Sequence, residues 1–284
     1  MTVTEKRINP TKKDGGPVAK HSLALDAPAE TKRIVSFIRE TVRKAGAAGV
    51  VMGLSGGIDS AVVCALCSSA LGAPRILGLL IPSDSTPPGD MADARNLARK
   101  LGIRTKEVEI SKIVRDVLAC AGSEGTKLAR ANLQARVRMA ILYFYANSLG
   151  FLVAGTGDRS EAEIGFFTKF GDGGVDFLPI AHLYKTQVRT LAAHLGVPRA
   201  IINKPSSPQL WPGHKATDEI PVDYDKLDLV LHYVLDEGMR AGEAAASAGV
   251  EREKCEAVIE MNRRTAHKRA LPPALSPVKM RRGH

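Results

Sequence analysis

The stretch GVVMGLSGGIDSAVVCALCSSAL, residues 49–71, decides the fold. GVVMGL is a short apolar run that suits one buried strand, and AVVCALCSSAL has the length and the small apolar residues of a buried helix. Between them lies a turn whose octet is Gly53, Leu54, Ser55, Gly56, Gly57, Ile58, Asp59 and Ser60. Gly56 and Gly57 let the backbone turn tightly and approach a ligand closely. Ser55 and Ser60 offer hydroxyls, and the free N–H groups of the following helix point at the turn. An anionic phosphate fits such a place. The lysine of a GxxxxGK[ST] loop is missing and Asp59 stands in the turn instead. A carboxylate beside phosphate needs a cation, so Mg2+ bridging Asp59 and phosphate oxygens is expected.

Outward from this unit the hydrophobic period keeps switching. Ile34, Phe37, Ile38 and Val42 mark one helix face upstream. Downstream, RILGLLIP (75–82), TKEVEI (105–110) and FLVAGTG (151–157) read as strands. Ala92, Leu97, Ala98 and Leu101 mark one helix, residues 128–148 a longer one, and residues 227–235 and 252–264 two more. This alternation predicts the α/β class: a doubly wound parallel sheet flanked by helices in a single domain, with ligands at the carboxyl ends of its strands. Residues 1–28 and 274–284 lack apolar periodicity and read as a flexible extension and a basic tail around a domain spanning 29–273. Asn203–Pro221 holds four prolines and no periodicity, a long loop of the kind that carries function.

Composition narrows the function classes. The 284 residues are 44% apolar and 25% charged, an ordinary globular balance. No run approaches the ~18–20 apolar residues of a membrane span, and the charged start MTVTEKRINPTKKDGG is unlike a signal peptide. Four cysteines are too few for a disulfide scaffold of this length and fit a cytoplasmic protein. The net charge of +10 favours anionic partners without choosing between a nucleotide and a nucleic acid.

The SGGIDS turn resembles the signature of the ATP pyrophosphatase superfamily, which cleaves ATP to AMP and pyrophosphate while activating a substrate oxygen. Within it, GTGDRSEAEIGFFTKFGDGGVD (155–176), LYKTQVRTLAAHLGVP (183–198), INKPSSPQLWPG (202–213), NLQARVRM (132–139) and HKRALPP (267–273) resemble NAD synthetase of the ammonia-dependent type over roughly residues 30–273. The resemblance implies an adenine nucleotide alpha hydrolase-like fold. It also implies a ligase that adenylates the carboxylate of deamido-NAD with ATP, after which ammonia displaces AMP to leave NAD. By similarity the Gly53–Ser60 octet, Thr156, Lys185 and Ser207 contact ATP. Asp59 and Glu161 hold magnesium, and Arg136, Lys169, Asp176, His267 and Lys268 hold the dinucleotide. Asp172, in the glycine turn among Phe166, Phe167 and Phe170, is expected to fix a reacting group while the rings stack on nicotinate. Pro208 follows Ser207 where the family often has alanine. The family further implies a homodimer joined by helices near Arg136.

Other readings are weaker. Cys64 and Cys67 form C-x-x-C on an apolar helix with no second pair, so core packing is expected rather than a metal or redox site. His182, His194, His214 and His232 have no metal or triad spacing. A tRNA-modifying ATP pyrophosphatase is the alternative. It would be expected to carry extra RNA-binding domains, and for thiolation an exposed catalytic cysteine, for which Cys120 is the candidate. A nucleotide-binding regulator without catalysis is disfavoured because Asp59 and Glu161 are both present. With about 28 residues before the synthetase region and about 11 after it, no glutaminase domain is expected, so ammonia is the expected nitrogen donor and nucleic acid and membrane are not expected partners.

Overall fold

The computed structural model describes residues 23–205, 211 and 218–275. The chain runs through α1 (Ala27–Lys44), β1 (Gly49–Gly53), α2 (Ile58–Leu71), β2 (Ile76–Leu80), α3 (Pro88–Leu101), β3 (Arg104–Glu107), α4 (Ser111–Ala121), α5 (Lys127–Leu149) and β4 (Phe151–Val153). It continues through α6 (Arg159–Ile164), α7 (Lys185–His194), α8 (Arg199–Ile202), α9 (Tyr224–Leu231), α10 (Ala241–Ala248), α11 (Arg252–Arg264) and α12 (Ala266–Arg269).

The strands form one parallel sheet in the order β3-β2-β1-β4, with Val50 opposite Ile76, Val51 opposite Val153 and Leu77 opposite Arg104. The chain moves from β1 outward to β2 and β3, then crosses back to place β4 on the other side of β1. The strand order therefore reverses between β1 and β4, the point at which such sheets bind ligands. Central β2 is buried throughout and is accordingly an unbroken apolar run, whereas edge strand β3 is exposed at all four residues and reads RTKE. The expected strand at 151–157 stops at Val153. Its last residues instead form the turn into the site, with Ala154 bridging Phe177 in the parallel sense.

Alternation along β1 divides the core. Val50 and Met52 face α1, α2 and α7, meeting Ile34, Ile38, Leu66, Val188 and Leu191. Val51 faces the opposite layer, with Leu79, Ile110, Ala146 and Val153 against α4 and α5. Helices thus cover both faces. A third apolar cluster joins Ile164, Tyr184, Tyr224, Leu227, Tyr233, Ala244 and Val258, so α9–α11 pack on α6 and α7.

Several element readings change. The inward face of α3 carries Met91 and Ala94, while Ala92 is exposed. Phe37 is about half exposed, its place on the buried stripe of α1 taken by Val35. The helix expected at 227–235 starts at Tyr224 and ends in a π turn over His232–Asp236. Cys64 and Cys67 are buried in α2, and burial pushes the Cys64 thiol up to about 12, so neither is poised to react. Among the described residues no helix is long and apolar enough to cross a membrane.

Candidate active site

The turn after β1 is held from both sides. Leu54 N–H donates to Leu79 O at 2.8 Å, carrying the β1–β2 pairing past the strand end. Ser60 Oγ donates to Gly57 O at 3.0 Å and lies 3.1 Å from Ser55 Oγ, while Gly57 N–H donates to Ser55 Oγ at 3.2 Å. Gly56 has φ +77°, and a Cβ there would stand 2.2 Å from the Asp90 carbonyl oxygen, so only glycine fits. Gly57 begins α2 without a side-chain cap, which leaves the first amides of the helix for an anion.

Directly beside it, Lys185 is surrounded by carboxylates. Its Nζ lies 2.8 Å from Asp59 Oδ2, 2.9 Å from Asp158 Oδ2 and 2.9 Å from Glu161 Oε1, and 5.1 Å from the centre of the Tyr224 ring. Lys185 and Asp158 are buried, whereas the Asp59 and Glu161 side chains keep about a fifth of their surface exposed. Desolvation pushes the Glu161 carboxyl up to about 8 and Asp158 up to about 6, against the pull of the Lys185 ammonium. Burial opposes charge on Lys185 too, yet Asp158, Asp59 and Glu161 together hold it well above its usual value. With all four groups ionised, three carboxylates and one ammonium leave a net charge of −2.

Backbone contacts set this geometry. Asp158 caps α6 by accepting the Glu161 N–H at 2.9 Å, so one residue orients both Glu161 and Lys185. Lys185 N–H donates to Ser160 Oγ at 2.9 Å and Thr186 N–H to Asp228 Oδ2 at 2.7 Å, which fixes the start of α7 against α6 and α9. Neither Asp158 nor Asp228 is among the residues expected from sequence. Asp158 had a local signal, the D-x-x-E spacing of a capping box in GTGDRSE, whereas Asp228 had none.

A second group gathers around residues 165–174. Lys268 Nζ donates to Gly165 O at 2.7 Å and Phe167 O at 2.8 Å, Lys169 Nζ to His267 O at 2.7 Å, and Arg136 to Lys169 O at 3.3 Å. Asp172 Oδ1 accepts the Thr168 N–H at 2.9 Å, and desolvation raises its carboxyl. Arg136, Lys169, Asp172, His267 and Lys268, distant in sequence, are therefore neighbours. Phe170 is half exposed at the tip, with φ 59°. Asp176 stands apart: its carboxylate accepts from Val153 N–H at 2.7 Å and Tyr143 OH at 3.0 Å, closing the end of β4. Thr156 lies half-buried just past Gly155, whose N–H donates to Phe177 O. Ser207 and His214 lie outside the described residues, as do residues 1–22 of the expected extension and 276–284 of the tail.

A cavity of about 550 Å³ lined by Arg39, Arg43, Ala47 and Arg75 is at the amino-terminal end of the sheet, away from these groups. Arg39 and Arg75 there are engaged by the carbonyls of Ala70 and Ala48. Among the described residues no set of three or more His, Cys, Asp or Glu forms a metal cage of protein groups alone.

A parallel sheet that turns from a glycine-rich strand end into an uncapped helix, with a carboxylate–lysine cluster across its switch point, defines a nucleotide-binding α/β enzyme fold of the adenine nucleotide alpha hydrolase-like kind. The comparisons with known proteins narrow this. The chain belongs to the NAD synthase family, whose sequence profile matches residues 30–272. It is 51% identical over 256 residues to the NH(3)-dependent NAD(+) synthetase of Hyperthermus butylicus, covering 90% of this chain and 93% of that protein. Among solved structures, the NMN synthetase from Francisella tularensis superposes with a TM-score of 0.79 at 34% identity, over 90% of this chain and 100% of that one. The NH3-dependent NAD synthetase from Campylobacter jejuni, in complex with nitrate, gives 0.75 at 29% identity, over 89% and 100%.

Proposed function

We propose that this chain amidates deamido-NAD to NAD with ammonia, in the cytoplasm, at the expense of ATP. The single observation that carries the reading is the cluster of Asp59, Asp158, Glu161 and Lys185 beside the Gly53–Ser60 turn. The turn would bind the β- and γ-phosphates through its amides and serine hydroxyls. The nicotinate carboxylate then attacks the α-phosphorus, the bond to the β-phosphate breaks, and pyrophosphate stays in the turn until release. Ammonia attacks the acyl carbon of the resulting adenylate and AMP departs, with one proton lost to solvent. Catalysis is positioning and charge stabilisation, and no covalent bond to the protein is required.

Mg2+ fits the cluster, because Asp59 Oδ1 is buried without a hydrogen-bond partner among the described residues and the cluster has surplus negative charge. Asp59 and Glu161 would hold it, in keeping with a cation that takes few protein ligands and keeps phosphate and water for the rest. Bound there, it would offset the charge developing on the phosphates. Lys185 would move from carboxylate to phosphate as the nucleotide enters. Arg136, Lys169, His267 and Lys268 would bring positive charge or a backbone anchor to the dinucleotide, with Asp172 and the Phe166–Phe170 rings at the nicotinate end.

A homodimer is part of the proposal. Helix α5 buries only Ala131, Ala135 and Ala146 and exposes Leu128, Phe144 and Leu149, with Ile113 and Val117 of α4 also exposed. A tRNA-modifying role is not favoured by relatives named for NAD synthesis, and Cys64 and Cys67 are core residues.

The test incubates pure protein with ATP, Mg2+, deamido-NAD and ammonium, and measures NAD with an alcohol dehydrogenase readout alongside AMP and pyrophosphate. NAD with AMP and pyrophosphate is expected, with little or none when glutamine freed of ammonium replaces ammonium; ADP as coproduct would sink the mechanism. Because the Francisella relative is named for NMN, nicotinate mononucleotide is run in parallel. Faster turnover of the mononucleotide would reassign the substrate.

A further inference from the structure

The phosphate turn has a partner outside the cluster. Lys204, two residues past α8, directs its ammonium to Asp90 Oδ1 at 2.6 Å, Asp93 Oδ2 at 2.6 Å and Gly56 O at 3.2 Å. Three acceptors match the three donors of an ammonium, so protein groups use all of them. Asp90 is buried in the first turn of α3, and its carbonyl is the atom against which Gly56 packs. Helix α3, the turn and Lys204 are therefore one contact.

The consequence lies in the peptide plane. A trans peptide sends its C=O and the following N–H in opposite directions, so holding the Gly56 carbonyl also holds the Gly57 N–H. That N–H donates to Ser55 Oγ at 3.2 Å, so the same peptide plane also sets the Ser55 hydroxyl within the turn. Without Lys204, Asp90 and Asp93 would also lose the cation that bridges them beside the turn.

We propose that Lys204 is a positioning residue: tied to Asp90 and Asp93, it fixes the Gly56–Gly57 peptide, and through the Gly57 N–H the Ser55 hydroxyl, in the arrangement that receives the phosphates of ATP. The inference rests on the assignment of the turn to ATP. A lysine that instead left its carboxylates to touch phosphate directly would give the opposite response to loss of Asp93, and the experiment uses that difference.

Binding of ATP with Mg2+, and of pyrophosphate alone, is measured by calorimetry for the wild type, Lys204→Met, Lys204→Arg and Asp93→Asn, together with KM and kcat for each substrate. Lys204→Met is expected to weaken ATP and pyrophosphate about tenfold, near 1.4 kcal/mol, and to leave the KM for deamido-NAD within about twofold. Arginine, able to bridge both carboxylates, should recover much of the loss. Asp93→Asn, at the rim of the contact, should weaken ATP about threefold by loosening the same lysine, and it keeps the test open should Lys204→Met fail to fold. Tighter ATP binding by Asp93→Asn, or unchanged pyrophosphate binding by folded Lys204→Met, would overturn the proposal. A wild type that binds neither ATP nor pyrophosphate would instead remove the assignment beneath it.

Discussion

Replacing Gly56 with alanine tests the phosphate turn most sharply, because the structure sets the size of the insult. The new Cβ would sit 2.2 Å from the Asp90 carbonyl oxygen and 2.8 Å from its carbon, where Cβ contacts do not go below 3.0 Å, so the two backbones must part by about 0.8 Å. The left-handed φ of +77° adds about 1–2 kcal/mol for a residue with a side chain. With overpacking of about 1–3 kcal/mol, the expected loss of stability is about 2–4 kcal/mol after partial relaxation. A melting curve should then drop by about 2–4 °C for each kcal/mol. The same displacement would move the amides proposed to bind phosphate by nearly 1 Å, which typically costs about a hundredfold in a positioned reaction. Gly57→Ala is the control: its Cβ meets only Ser55 Oγ, at 3.3 Å, and its φ is −90°. Both variants are assayed by denaturant unfolding and by the KM for ATP. If Gly56→Ala behaves like Gly57→Ala in both, the account of the turn is wrong.

Asp59→Asn and Glu161→Gln should each abolish turnover with the fold retained in circular dichroism; near-normal activity at low Mg2+ in either would refute its assignment as a ligand. The Glu161 carboxyl, raised from 4.5 to about 8, holds a proton in the folded state that the unfolded chain releases earlier, so its contribution to stability falls as pH rises through that window and levels off above it. Melting temperatures taken between pH 5 and 8 without nucleotide or metal should therefore decline less in Glu161→Gln than in the wild type, and parallel slopes would contradict the shift. Phe144→Glu, on the exposed side of α5, should yield monomers in light scattering while leaving the melting temperature of the subunit within a few degrees; an intact dimer would move the interface elsewhere.

The part of the fold written in local pattern was legible. The unit from β1 through the turn to α2 carries its own periodicity and its own glycines, and residues 252–264 match α11 as read. Helix α4 is strongly amphipathic and its period stands in the sequence, but it begins directly after TKEVEI, a run that reads as a strand up to Ile110 and obscures the boundary. Helix α10, AGEAAASA, has mostly alanine to show and no strong stripe. At the site, Asp59 and Glu161 could be placed from the motifs that contain them. That Lys185 is buried among three acids, 126 residues from Asp59, depends on how α7 docks, as does the grip of Lys204 on Gly56 from 148 residues away. Pairings of that separation leave no period in a sequence.

The grip of α12 on the end of α6 also bears on when the protein can become active. Lys268 holds the carbonyl of Gly165 across 103 residues, and Arg269 holds those of Ala162 and Glu163. As the chain leaves the ribosome, the sheet and the phosphate turn can settle first, while the segment that would receive the dinucleotide waits for residues 268 and 269. A nascent or prematurely ended chain would thus have somewhere to put ATP before it has anywhere to put the second substrate.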